Sequence, residues 1–173
     1  EHVKVKDGVP QGWERLTAFD VMEIMSGGTP KTQEPSYWDG DIPFYTPKDY
    51  SDAPYALSTE RSITEIGLAN CNSRLYPKNT IFISARGTVG KIIIAQKPMA
   101  MSQTSYALCG KNGISPFFLY SALQANLQQF LMRATGAVFS AIVVDTFKNI
   151  PFILPSQSLI DNYEENATPI FVQ

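Results

Sequence analysis

The chain has one histidine, His2, and two cysteines, Cys71 and Cys109, among 173 residues. With the only imidazole at the start of the chain, no Ser-His-Asp or Cys-His pair can be built around a central base. Tetrahedral metal sites made of Cys and His are excluded for the same reason. Cys71 and Cys109 do not form a CxxC pair. They are expected as two free thiols packed inside a reduced, cytoplasmic protein. Apolar runs are short, "KIIIAQ" being among the longest, and none approaches a membrane span. The opening residues, "EHVKVKDGVPQGW", are polar and carry no signal-peptide pattern. A start at Glu1 reads as a fragment of a longer chain.

Charge is also sparse, at 17%, against 44% apolar residues, so a sizeable core is affordable and disorder is not expected. The net charge of −2 hides a division. Residues 1–60 carry net −6, residues 61–148 net +7 and residues 149–173 net −3. A basic face on an acidic protein is therefore expected, centred on the middle of the sequence.

Pro and Gly punctuate the first half in "PQGW", "GGTP", "EPSYWDGDIP" and "YTPKDY". This predicts short strands joined by ordered turns. "MEIMS", "IPFYT", "TIFISA", "GKIIIAQ" and "TSYALCG" read as strands, and Thr64 caps a helical turn at Glu65. The period then changes. Phe118, Leu119, Ala122, Leu123, Leu127, Phe130 and Leu131 recur at helical spacing, with Ser115 as the cap and Pro116 at the first helical position. "PFILP" reads as a short strand. A last helix opens at Ser156, with Leu159, Ile160, Tyr163, Ala167, Ile170 and Phe171 in one stripe that Pro169 kinks without ending. The expected architecture is α/β of the α+β kind. A small mixed or antiparallel sheet with flanking helices occupies residues 1–155. Residues 156–173 begin a long, coiled-coil-forming helix, the alternative being a surface helix lying on its own domain. Trp13, Trp38 and Phe82 are expected in the core.

One stretch carries chemistry. "SARGTVGK" at residues 84–91 places glycines, an arginine and a lysine in a turn between two strands. A phosphate-cradling P-loop needs Gly five residues before the GK pair and Ser or Thr after it; Ala85 and Ile92 stand there instead. The turn is better suited to a nucleic-acid backbone. Arg86 and Lys91 neutralise phosphates, Ser84 and Thr88 supply hydroxyls, and the amides around Gly87, Thr88 and Gly90 admit close approach. Gln103 and Asn79 carry carboxamides of the kind that read adenine. The carboxylates Asp39, Asp41, Asp49 and Asp52 sit in turns, where Asp bonds local amides. A metal-holding nuclease built on them is the enzymatic alternative. A protein-interaction module using the last helix is the other.

Five segments, in order, resemble one family: "PQGWERLTAFDVMEIMSGGTPKT", "YWDGDIPFYTPKDY", "SITEIGLANCNSRLYPKNTIFISARGTVGK", "MSQTSYAL" and "ILPSQSLIDNYEENATPIF". The family is the target recognition domain of type I restriction-modification specificity subunits. The resemblance implies a non-catalytic reader of double-stranded DNA, without metal or cofactor. It implies a subunit with two such domains, each followed by a long helix, the helices pairing as an antiparallel coiled coil. Each domain then reads half of a split target. Modification (methyltransferase) subunits that methylate adenine and a restriction subunit are the implied partners, with a second domain or second copy joined through the C-terminal helix. Carried onto this sequence, the implied DNA-facing residues are Lys31 and Thr32 beyond "GGTP", and Thr46, Lys48, Asp49 and Tyr50 in "YTPKDY". Ser84, Arg86, Gly87, Thr88 and Lys91 follow in the glycine turn. Ser102, Gln103 and Thr104 come from "MSQTSY", and Thr135 and Ser140 from "ATGAVFSAI".

Overall fold

The computed structural model describes residues 4–134 and 140–172. Twelve strands run β1 Val5–Lys6, β2 Val9–Pro10, β3 Glu14–Thr17, β4 Met22–Ser26, β5 Trp38–Tyr45, β6 Tyr55–Ala56, β7 Arg61–Ile63, β8 Ile81–Ser84, β9 Ile92–Ala95, β10 Ala100–Met101, β11 Ser105–Gly110 and β12 Pro151–Leu154. Six helices are α1 Ala18–Val21, α2 Glu65–Ala69, α3 Pro116–Ala125, α4 Leu127–Ala134, α5 Val144–Lys148 and α6 Gln157–Phe171. No helix among the described residues is long and apolar enough to cross a membrane.

The main sheet is five-stranded, in the order β4-β11-β8-β9-β6, antiparallel except for β9 against β6. Its centre is buried on both faces. Ile81, Phe82 and Ile83 of β8 and Ile92, Ile93 and Ile94 of β9 are all at or near zero exposure, as continuous apolar strands require. One face packs on α3, α4 and α5 through Leu119, Leu123, Phe130 and Phe147. The other packs on Tyr45, Tyr76 and Met101. A three-stranded sheet, β10-β5-β7, stands beside it. Trp38, Phe44, Ile63 and Ala100 form its own small core. Residues 102–104 connect β10 directly to β11, so that short turn is where the two sheets meet.

The architecture is α+β, and the strands read from the sequence are present. Four readings change. The helix expected from Pro116 onward is two helices. At Asn126 the backbone leaves helical geometry, and the side-chain amide donates to the Ala122 carbonyl at 2.9 Å, the local competition that disfavours Asn inside a helix. Ser115 and Ser156 hold the N-cap positions, but neither hydroxyl caps. A glutamate does that work on α3, since Glu164 of α6 accepts from the Phe118 N–H at 3.3 Å. Trp13 is only half-buried, while Trp38 and Phe82 are core residues.

The final helix lies on its own domain. Ile160 and Ala167 are buried against it, and Phe171 stacks on Phe117 with ring centroids 4.7 Å apart. Gln157 donates to the Gly113 carbonyl at 2.9 Å, and the Tyr163 and Ser121 hydroxyls bond at 2.5 Å. Leu159 and Ile170 face outward while Tyr163 turns to Ser121 and Phe118 of α3, so the stripe read as one face is two. Pro169 sits inside the helix without ending it.

Candidate nucleic-acid interface

Strand direction gathers the predicted loops at one end of the molecule. β4 and β8 both end where β11 begins, because Ser26 pairs with Tyr106 and Ser84 with Ser105. The parallel strands β5 and β10 end together at Tyr45 and Met101. β7 runs the other way, so its first residue, Arg61, pairs with Phe44 at that same end. The turns leaving these strands therefore share one edge. Two backbone bonds lock them, with the Ala85 and Arg86 N–H groups both donating to the Thr104 carbonyl, at 2.8 and 3.1 Å.

Between these turns lies a cleft of about 410 Å³ lined by Thr29, Phe44, Thr46, Pro47, Lys48, Glu60, Arg61, Arg86, Ser102, Gln103 and Thr104. Of the residues expected at the site, Thr46, Lys48, Arg86, Gln103 and Thr104 are brought together here. Thr29 donates its hydroxyl to the Gln103 carbonyl oxygen. That contact joins the cleft to a second hollow, lined by Gly27, Gly28, Asn70 and Asn72. Gly28 is obligatory in this wall. A Cβ there would come 2.6 Å from the Asn72 backbone nitrogen, closer than any real contact.

Cations dominate the charge of the cleft. Lys48, Arg61 and Arg86 make no ion pair, and the Lys148–Asp145 bridge is the sole side-chain ion pair among the described residues. Arg61 was missed by sequence reading. Its guanidinium carbon lies 3.5 Å over the Trp38 ring. The only signal for it was a basic residue opening a short β segment, which by itself points to nothing.

Other expected residues fall differently. Asp49 is a turn builder. Its carboxylate accepts from the Thr46 N–H at 2.8 Å, the Thr46 hydroxyl at 3.1 Å and the Glu60 N–H at 2.7 Å. It shapes the loop carrying Lys48 and has little capacity left for a ligand. Ser84 is fully buried, and its hydroxyl accepts from the Lys91 N–H at 2.8 Å; it is hairpin frame, out of reach of a surface partner. Gly90 is buried as well. Its amide donates to the Ser84 carbonyl, and a Cβ there would strike Leu131 and Leu127 of α4. The exposed tip of the turn is Gly87-Thr88, where Gly87 adopts φ +73 with open space around it. Lys91 lies over the Tyr50 ring, 4.6 Å from its centroid. Ser140 is exposed beside Ala141, which bridges to Arg86. Lys31 and Thr32 are exposed on the loop leading to Trp38, whose indole N–H donates to the Lys31 carbonyl at 3.0 Å. Thr135 lies outside the described residues. Asn79 is at the wrong end, preceding β8 where Arg86 follows it, in a turn with φ +72 beside α6.

No three His, Cys, Asp or Glu side chains converge to hold a metal among the described residues. The edge offers cations without ion pairs, hydroxyls and one carboxamide around a concave surface. That set suits an extended polyanion with readable edges.

Comparison with known proteins decides the lineage. The family described as type I restriction modification DNA specificity domain matches residues 10–160. The chain belongs to this family. The specificity domain is 30% identical over 152 residues to the type I restriction enzyme MjaIX specificity subunit of Methanocaldococcus jannaschii, covering 86% of this chain and 35% of that protein. It is 28% identical over 167 residues to the HindI specificity subunit of Haemophilus influenzae, covering 94% and 36%. Among solved structures, the HsdS subunit from Thermoanaerobacter tengcongensis superposes with a TM-score of 0.65 at 20% identity, covering 95% of this chain and 39% of that one. The type I restriction-modification S subunit from M. genitalium gives 0.62 at 18%, covering 94% and 43%. The specificity domain thus spans little more than a third of the curated relatives it matches.

Proposed function

We propose that this chain is a non-catalytic DNA sequence-recognition module that reads one half of a bipartite target in duplex DNA. The observation that carries the reading is the cleft where Lys48, Arg61 and Arg86, free of carboxylate partners, surround Gln103 and Thr104. Lys31, Thr32, Gly87, Thr88, Lys91 and Ser140 extend the contact surface around it, with Tyr50 supporting Lys91. Fold and family agree with this, because the relatives are named as specificity subunits of restriction enzymes.

Modification (methyltransferase) subunits and a restriction subunit are the partners this family membership points to. A second recognition domain, or a second copy, joins through α6, whose apolar Leu159 and Ile170 stay exposed on its outer side. On this reading residues 1–155 recognise DNA and residues 156–173 begin the spacer. Methylome sequencing of a host carrying the intact system is the direct test. A bipartite methylated-adenine motif that changes in one half when this domain is exchanged is the expected result. A motif indifferent to the exchange ends the proposal.

A further inference from the structure

Among the cleft cations, Arg61 alone has its side chain fixed by the fold. Its platform, Trp38, is 7% exposed. The indole is met edge-on by Phe44 at 5.4 Å and tied through its N–H to the Lys31 carbonyl. The Arg61 backbone is held by pairing with Phe44 and by the Thr59 hydroxyl, which donates to its carbonyl at 2.7 Å. The guanidinium rests 3.5 Å above the ring centroid. No acceptor among the described residues engages any of its N–H groups, so the whole planar fork remains available.

We infer that Arg61 is a base-reading residue, recognising the paired acceptors on the major-groove edge of a guanine, while Lys48 and Arg86 contact phosphates. The inference rests on the DNA-recognition reading. A guanidinium stacked on an aromatic face is preorganised and gives up little freedom on binding. Its fork matches guanine O6 and N7, the commonest specific arginine contact. Discrimination needs such fixity, because a wandering cation accepts any nearby anion. Among the described residues, the Lys48 and Arg86 side chains make no hydrogen bond, ion pair or ring contact, which suits the less directional charge of a phosphate. The shorter Gln103 and Thr104 share the cleft with Arg61, so a base edge that reaches one comes near the others.

The test uses the full specificity subunit assembled with its modification subunits. Once the wild-type motif is known, binding is measured to duplexes varied one base pair at a time within this domain's half-site. Arg61→Lys keeps the charge and loses the fork. It is expected to relax preference at one G·C pair by about 10-fold to 100-fold and leave the other positions unchanged. Arg86→Ala is expected to weaken all duplexes alike. In parallel, wild-type complex meets duplexes carrying 7-deazaguanine at each guanine in turn. A loss at one guanine that disappears in Arg61→Lys supports the assignment without requiring any variant to fold perfectly. No loss at any guanine, or uniform weakening with a shallower salt dependence in Arg61→Ala, makes Arg61 a phosphate contact and overturns it. A wild-type complex with no half-site dependent on this domain overturns the DNA reading itself, a distinguishable result.

Discussion

The two ends of β8 are built on opposite terms. At the Asn79 end, α6 and the segment from Gly113 into α3 use their polar groups on each other: Glu164 on the Phe118 amide, Gln157 on the Gly113 carbonyl, Tyr163 on Ser121. Aromatic rings fill the space between, with Phe171 stacked on Phe117 and edge-on to Tyr55 and Tyr120. At the Arg86 end the turns are cross-bonded through the Thr104 carbonyl, yet Lys48, Arg61 and Arg86 make no ion pair among the described residues. Lys148 and Lys111 show what a retired cation looks like. Lys148 pairs with Asp145 at 3.0 Å, and both lysines lie over the Phe19 ring. Interactions made inside the molecule mark scaffold. Interactions left unmade, on a rigid backbone, mark the surface reserved for a partner.

Substitutions at the scaffold end test the first half of that contrast and carry the largest effect on stability. Phe117→Ala removes a buried ring and its stack, and is expected to cost about 3–5 kcal/mol in chemical denaturation. Next comes Gly28→Ala, which forces a methyl into the Asn72–Ser73 backbone. About 1–3 kcal/mol is expected, with DNA affinity falling as well because the wall beside Gln103 shifts. A tolerated Gly28→Ala removes the claim that this turn is sterically fixed. At the cleft end the order reverses. Lys48→Ala and Arg86→Ala are expected to change stability by less than about 0.5 kcal/mol. In the assembled complex each is expected to lower DNA affinity and reduce the logarithmic salt dependence by about 1. If either variant melts well below wild type, the unpaired cations are scaffold after all and the contrast fails.

Which of these features the sequence exposes follows from the range of the physics involved. Turn chemistry is local, so "YTPKDY", "SARGTVGK" and "MSQTSY" announce loops, and the cleft collects Thr46, Lys48, Arg86, Gln103 and Thr104 from them. Helix and strand periodicity is also local, and the sheet strands follow from it. Ser84 was misread because the face on which a strand-end residue lies depends on register with β9 and β11, which the turn motif does not encode. Gly90 was misread because α4, distant in sequence, packs over it. Asp49 followed the expected habit of bonding neighbouring amides, which commits its carboxylate to the turn carrying Lys48. Arg61 stayed hidden because its meaning comes from the pairing of β7 with β5, which sets a basic residue over Trp38. Long-range pairing, rather than composition, makes it a candidate.

Tyr45 gives the finest test of the contrast, because it separates being unpaired from being available. It ends β5 between the cleft-lining Phe44 and Thr46, is fully buried, and its hydroxyl has no hydrogen-bond partner among the described residues. If lacking a partner were enough to mark function, this hydroxyl would belong to the site. Burial argues otherwise: the group is enclosed, tilted against Phe82 with centroids 5.1 Å apart, and cannot meet DNA. An orphaned buried hydroxyl is a cost, so Tyr45→Phe is expected to leave stability unchanged or raise it by up to about 1 kcal/mol. Burial, with Asp49 and Tyr50 nearby, also pushes the phenol well above the usual tyrosine range. The folded state therefore holds this proton more tightly than the unfolded chain. The associated stability is complete below about pH 10, the ordinary tyrosine value, and declines as the unfolded phenol ionises above it. Tyr45→Phe is expected to flatten that alkaline decline in part, since burial raises Tyr55, Tyr76 and Tyr120 too. DNA affinity and motif should not move. A changed motif in Tyr45→Phe would show that the cleft is tuned from beneath, and the boundary between scaffold and reader would then lie one layer deeper than exposure places it.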